Sequence, residues 1–332
     1  MDELIFFINR VLISGTVLGS IYALGAIGIT LIFGILRFAH FAHGDMMTMG
    51  AFIGFVLVGI FTAMGITAPI PMGFVVLPFA MAITAVIALG LDKGFYAPLR
   101  RRGVPSVTLM IASIGVTLMI QGLVRLIFGS GTKSFFANEQ KEIFRIDMTA
   151  FGGSRPITIT EPQVLMIVVT VVLMLGLHYF LTRSRLGKAM RAMSDNAALA
   201  QVSGINTALV VRVTWLIAGA LACVAGTMLA LDVALMPDLA FNIVLPIFAA
   251  AIVGGLGHVY GAIVGGFLIA FAETLSVFNW TSVLRPLGET IGVELPANLA
   301  LVPTEYKLTV AFVILVITLL ARPTGIFKGI SS

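Results

Sequence analysis

Polar residues recur every four positions in an otherwise apolar stretch at residues 105–128. They are Ser113, Thr117, Gln121 and Arg125. Four-residue steps place side chains on one face of a helix. Polar groups inside a membrane are costly and therefore mark pathways or contacts between helices. We expect this stripe to border a water-accessible translocation path, with hydrogen bonds between helices as the alternative and with Arg125 reaching the outer surface.

A second candidate is Glu273, which we interpret as the only acidic residue within a membrane span. A carboxylate at that depth must be protonated or matched to a partner. Glu273 is thus a second residue predicted for the translocation path, and a buried structural bond to the backbone or a serine is the alternative.

Motifs for catalysis are missing from the sequence. The pair Gly187-Lys188 is followed by Ala189 rather than serine or threonine, and Thr182 stands where a phosphate-binding loop needs glycine. The sequence therefore predicts no nucleotide site in this chain, no enzymatic activity and no cofactor of its own.

Two histidines, His40 and His43, raise the question of a metal, but no second group of ligands accompanies them in the sequence. We expect no metal site. The single cysteine, Cys223, lies in an apolar run and is expected to be a small packing residue.

The segment 182–208, TRSRLGKAMRAMSDNAALAQVSGINTA, is basic and polar between two apolar runs. Its apolar residues recur at steps of three and four, the period of an amphipathic helix. Asp195 and Asn196 offer a cap for a second helix, and Gly204 with Asn206 offers a stop. We expect one or two short helices at the membrane surface, either as a docking surface for a soluble partner or as a loop anchored to lipid headgroups.

The elements that position these residues follow from composition. Of 332 residues, 59% are hydrophobic and 11% are charged. A soluble domain cannot bury that much apolar surface, and runs of about 20 residues predict transmembrane helices rather than barrel strands. The fold class is therefore all-α, a polytopic transmembrane bundle of eight to ten spans in a single domain covering 1–332. The net charge of +5 resides in short loops and does not indicate nucleic-acid binding.

Nine apolar segments lie along the chain. They cover about 5–36, 46–64, 74–91, 105–128, 163–181, 209–231, 242–253, 262–278 and 307–320. The positive-inside rule places the basic segment 182–208 in the cytoplasm and the loop 129–162 outside. The N-terminus then lies outside if 5–36 is one helix and inside if it is two. The glycine-rich stretch 254–266 predicts a helix break, a re-entrant turn or very tight packing.

Several stretches resemble inner-membrane permeases of the ABC importers for branched-chain, or hydrophobic, amino acids. These are GTVLGSIYALGAIGITLIFGI, FAHGDMMTMGAF, FYAPLR, IASIGVTLMIQ, SRLGKAMRAMSDNAALAQVSGIN, VGGLGHVYGAIVGG and RPTGIF, in this order. The most specific are the block Phe41, Ala42, His43 and Gly44 and the segment that begins at Ser184. The resemblance covers nearly the whole chain, but His40 departs from the asparagine that the family often has before this block.

The resemblance implies a bacterial inner-membrane permease that holds no nucleotide. In such importers two permease chains, usually different ones, form the path, two cytoplasmic ATPases carry ATP and magnesium, and a periplasmic binding protein delivers the substrate. Matching positions imply an ATPase-docking set. It consists of Arg185, Gly187, Lys188, Arg191, Asp195, Gly204 and Asn206.

Other functions stay open at the level of sequence. Relatives in the same superfamily import urea, amides or aromatic acids. An ion-coupled secondary transporter would use Glu273 as its proton or sodium site. A passive channel would conduct along the polar stripe of residues 113–125 without a partner.

Overall fold

The computed structural model describes residues 2–136, 141–149, 154–285 and 296–327, and these residues are predominantly helical. Two π-helical turns, Ile8–Ile13 and Asp92–Tyr96, interrupt longer helices. The helices are α1 Asp2–Phe7, α2 Ser14–Leu36, α3 His43–Ala63, α4 Met72–Val75, α5 Leu77–Leu91, α6 Ala97–Arg101, α7 Ser106–Phe128, α8 Glu161–Arg183, α9 Arg185–Asp195, α10 Ala197–Val202, α11 Thr207–Asp232, α12 Phe241–Gly254, α13 Val259–Val277 and, after the 3-10 turn Thr304–Tyr306, α14 Lys307–Ala321.

Eight helical runs in the described part of the chain are long and apolar enough to cross a membrane. This confirms the predicted polytopic bundle. The remaining predicted segment, 242–253, forms α12, whose 14 residues extend only about 21 Å, less than the roughly 30 Å of a bilayer core. Its start lies against α3, where the Ala240 amide donates to Thr48 Oγ at 3.1 Å. The segment is therefore a short helix that begins inside the bundle.

We call the end of the bundle that carries residues 182–208 the inner end and the end that carries the loop 129–162 the outer end; the sidedness behind these names stays a prediction. At the inner end, the Ile326 amide after α14 donates to the Val253 carbonyl near the end of α12. At the outer end, Asn9 donates to the Pro156 carbonyl of the loop 129–162 at 3.2 Å. Because residues 2–36 form one continuous helical run, the N-terminal end lies beside this outer loop.

Small residues allow α2 to pack closely in the centre of the bundle. Gly15 and Gly19 lie against the rings of Phe271 and Phe267 on α13. A β-carbon at Gly19 would stand 2.4 Å from the nearer ring. These glycines therefore permit a contact that any larger residue would push apart.

The glycine-rich stretch forms a tight hairpin between α12 and α13. Gly255 and Gly257 take positive φ angles of 110° and 87° and make the turn. A β-carbon at Gly254 would lie 2.0 Å from the Gly261 carbonyl oxygen. Of the predicted possibilities, a break combined with close backbone packing is the observed one.

The outer loop contains a small antiparallel hairpin. Strands β1 Ile143–Ile146 and β2 Ile157–Thr160 pair with Ile143 opposite Thr160. The β2 strand leads directly into α8, where Thr160 and Gln163 form a reciprocal capping box. The second strand therefore joins the loop 129–162 directly to a membrane-crossing helix.

Candidate functional site

The chain turns back into the bundle between α2 and α3, at residues 37–42, which we call the re-entrant turn. Arg37 ends α2 with a φ angle of 57°, the one positive φ among described residues other than glycine. The following residues run inward, and the Phe41 amide donates to Ser113 Oγ at 3.1 Å, two turns above the inner end of α7. His43 packs against Gly28, also two turns above the inner end of α2. The N-terminus of α3 therefore lies within the membrane-embedded part of the protein.

The four residues of the sequence block at this turn have distinct packing roles. Ala42 and His43 are fully buried, and the ring of Phe41 lies 4.8 Å from that of Phe248 on α12. Gly44 also faces α12, where a β-carbon would meet the Val244 side chain at 2.9 Å. The block thus brings the first turn of α3 against the first turns of α12.

Asp45, in the first turn of α3, is a buried carboxylate that the sequence analysis missed. It is 2% exposed, and Gln121 Nε2 donates to its Oδ1 at 2.9 Å. The interpretation of Glu273 as the only acid within a span is therefore wrong. The error arose because residues 37–47 are polar and their sequence is typical of a surface loop, although their backbone re-enters the bundle.

The predicted stripe on α7 faces this carboxylate. Ser113, Thr117 and Gln121 are buried on the α3 side of the helix, as four-residue spacing predicts. Arg125 is exposed near the outer end of α7, as expected, and its Nη1 also donates to Gln121 Oε1 at 3.3 Å. We call residues 45, 117, 121 and 125 the polar cluster. Whether it borders a path stays a prediction.

Glu273 lies apart from the polar cluster. Tyr22 on α2 donates to its Oε2 at 3.0 Å, and Lys307 at the start of α14 approaches the same oxygen at 3.6 Å. Glu273 is fully buried, while Lys307 reaches inward from the outer end of its helix. The structure thus gives Glu273 partners on two other helices and does not join it to the α7 stripe.

His40 sits in an aromatic cage below the polar cluster. Its Nε2 lies 3.0 Å from the Tyr96 hydroxyl, and its ring meets Trp215 edge-on at 5.0 Å. All three side chains are buried. The cage fixes the re-entrant residues to α11 and to the π-helical turn after α5.

The basic segment at the inner face forms two short helices, α9 and α10, as predicted. Ser184 caps α9 by accepting from the Gly187 amide, and Asn196 caps α10 by accepting from the Leu199 amide. Gly204, with a φ of 82°, ends the second helix. Asn206 does not belong to the stop, because its side chain caps the start of α11.

Six of the seven residues predicted for docking are exposed at the inner face: Arg185, Lys188, Arg191, Asp195, Gly204 and Asn206. Gly187 is buried, and a β-carbon there would stand 2.3 Å from the Phe180 carbonyl oxygen. Its observed role is to let α9 pack against the end of α8.

Two apolar side chains on α10 were not identified from the sequence. Leu199 is 64% exposed and Val202 is 87% exposed. Helical spacing carried the signal, because Leu199 and Val202 lie off the face that holds the buried Ala200 and so point away from the bundle. Exposed apolar residues beside basic ones are typical of a protein contact surface.

A hydrogen bond joins this inner surface to the re-entrant turn. Arg37 Nη2 donates to the Ser194 carbonyl in α9 at 2.5 Å. Gly34, one turn earlier, lies against the same residue's hydroxyl. Arg37, the residue from which the chain turns toward α3, is thus hydrogen-bonded directly to α9.

Comparison with known proteins identifies similar sequences over almost the full length. Residues 11–319 match the family described as "Branched-chain amino acid transport system / permease component". The high-affinity branched-chain amino acid transport system permease protein BraD of Pseudomonas aeruginosa is 30% identical over 329 residues, which cover 98% of this chain and 97% of BraD. LivH of Escherichia coli K12, which carries the same description, is 30% identical over 98% of this chain and 96% of its own length. A probable branched-chain amino acid transport permease protein LivH of Methanocaldococcus jannaschii is 28% identical over 96% and 92%.

Proposed function

Because this chain belongs to the permease family of branched-chain amino acid transport systems, we propose that it forms half of the membrane path of an ATP-driven importer. It is a multi-pass inner-membrane transport subunit rather than an enzyme. The proposed cargo is a branched-chain or other hydrophobic amino acid, as the names of its relatives indicate.

The observation that carries this proposal is the inner surface formed by α9 and α10. It presents the exposed cations Arg185, Lys188 and Arg191 together with the apolar side chains of Leu199 and Val202. A soluble protein that moves a membrane helix must bind to it and must transmit its movement to other parts of the bundle. The apolar residues provide a surface to bind, and the hydrogen bond from Arg37 to α9 connects that surface to the re-entrant turn.

We propose partners of the kinds that the permease family implies. A pair of cytoplasmic ATPases docks on α9 and α10 and binds the ATP and magnesium, while this chain binds neither. A second permease chain completes the path, and a periplasmic binding protein contacts the outer loop 129–162. Movement of α9 reaches the first turn of α3, where Ser113, Thr117 and Gln121 adjoin Asp45.

The surroundings of Glu273 favour this mechanism over an ion-coupled one. An ion-coupled transporter needs a carboxylate whose counter-charge is the transported ion. Glu273 instead has a counter-charge within the protein, the Lys307 ammonium, and a hydrogen bond from Tyr22. We therefore propose a conformational role for Glu273 at the outer end of the path.

Assembly with the ATPases tests the docking surface. Val202→Asp places a charge on the most exposed apolar side chain of α10 and should reduce co-purification of the ATPase pair at least tenfold. Arg191→Glu reverses a docking cation and should act in the same direction. Both variants should fold normally, because both side chains are exposed.

Val233→Asp is the matched control, since this valine is 65% exposed at the opposite, outer face of the bundle. It should leave ATPase recovery unchanged. If Val202→Asp assembled and stimulated ATP hydrolysis as well as the control did, α10 would not be the docking helix.

A further inference from the structure

A cavity of about 710 Å³ opens at the inner face, apart from the polar cluster. It lies between the inner ends of α2, α6 and α11. Leu36 and Val211 contribute apolar walls, whereas Lys93, Arg101 and Arg212 bring cationic side chains to the opening. We call this cavity the inner basic pocket.

The charge of the inner basic pocket is only partly balanced. Arg100, which also lines it, forms an ion pair with Asp92 at 2.7 Å. Within the described ranges, no carboxylate lies within 4 Å of Lys93, Arg101 or Arg212. Three exposed cations therefore surround an opening whose acid is already paired, and such an opening is suited to a bound anion.

The walls of the pocket indicate where that anion comes from. Most of its lining belongs to the inner ends of membrane-crossing helices, which is the level of phospholipid headgroups. The docking helices contribute only Met193 and Gln201. Phe95, in the π-helical turn after α5, is 43% exposed beside Lys93 and offers an apolar surface to an acyl chain.

We propose that the inner basic pocket binds the phosphate headgroup of an anionic phospholipid from the inner leaflet. The cations hold the phosphate, and the neighbouring apolar side chains contact the upper part of the acyl chains. A bound lipid would join α6 to α11 beside the docking helices. This site does not depend on which amino acid the importer carries.

Native mass spectrometry of the purified permease complex tests the proposal with phosphatidylglycerol as the probe. The variant is the triple substitution Lys93→Gln, Arg101→Gln and Arg212→Gln. One cation near an anionic surface contributes about fivefold in affinity, so the loss of three should weaken phosphatidylglycerol binding on the order of 100-fold. Phosphatidylcholine should bind weakly to both proteins.

The matched control is Arg102→Gln, Arg183→Gln and Arg322→Gln, which removes the same charge from the same face without touching the pocket lining. It should retain the lipid.

Three results would overturn the proposal. The first is equal lipid loss from both triple variants, which would indicate a diffuse charge effect. The second is stabilisation by inorganic phosphate alone as strong as that by phosphatidylglycerol, which would indicate a soluble ligand. The third is lost ATPase binding with phosphatidylglycerol retained, which would assign the pocket to an acidic protein partner.

Discussion

The hydrogen bond between Asp45 and Gln121 makes the sharpest prediction about the polar cluster. Gln121→Leu keeps the approximate volume of the side chain but removes the donor that lies 2.9 Å from the buried carboxylate. A hydrogen bond to a charged group contributes about 1.5–3 kcal/mol, and an unsatisfied buried partner adds a desolvation cost. We expect the free energy of unfolding to fall by about 2–3 kcal/mol.

A double-mutant cycle separates this bond from the general effect of each substitution. The cycle compares Asp45→Leu, Gln121→Leu and the double variant by equilibrium unfolding in mixed detergent micelles. Because the two side chains contact each other directly, we expect a coupling energy of about 2 kcal/mol. A coupling energy within about 0.5 kcal/mol of zero would refute the argument that the two residues stabilise each other.

Transport measurements with a milder substitution test the predicted path. Asp45→Asn keeps an acceptor oxygen for Gln121 and changes the charge rather than the shape. If the cluster borders the path, uptake by the reconstituted importer should fall about tenfold or more while the amount of folded protein stays the same. Asp238→Asn, an exposed change at the outer end, is the control. Equal uptake by the two variants would assign Asp45 a purely structural role.

Three further perturbations have expected outcomes. Lys307→Met leaves Glu273 buried without its counter-charge and should lower the free energy of unfolding by about 3–5 kcal/mol. The additional change Glu273→Gln should restore part of that loss. An unchanged free energy of unfolding in the single variant would contradict the pairing. Gly226→Ala places a β-carbon 1.9 Å from a backbone oxygen of α3 and should strongly reduce the yield of folded protein. Gly90→Ala is the control, because a β-carbon there meets nothing within 4 Å. Equal yields of the two variants would contradict the packing. Arg37→Gly removes the cost of a left-handed backbone conformation, about 1 kcal/mol, but also removes the hydrogen bond to α9. The amount of substrate taken up per ATP hydrolysed should therefore fall while the complex still assembles. An unchanged ratio would contradict the proposed linkage.

The sequence predicted the features that depend on local signals. The helix break at Asn196 and the stop at Gly204 follow from capping and positive-φ preferences that act within a few residues. The burial of Cys223 follows from its place in an apolar run. These features need no knowledge of distant contacts.

Other features depend on contacts between distant segments, and the sequence could not supply them. The turn at Arg37 uses a left-handed conformation that glycine or asparagine would have signalled and that arginine does not. Without that turn, Asp45 reads as part of a surface loop. The partner of Glu273 is Lys307, at the start of another helix. No pattern in the sequence near Lys307 indicates that its side chain reaches into the bundle.

The most direct test of the proposed function is uptake of radiolabelled leucine by proteoliposomes that contain this chain, its partner permease and the ATPase pair, with the binding protein outside. We predict uphill uptake that requires ATP and is lost in the Val202→Asp variant. Uphill uptake by this chain alone, driven by an ion gradient and indifferent to ATP, would contradict the proposal that an ATPase drives the transporter through α9 and α10.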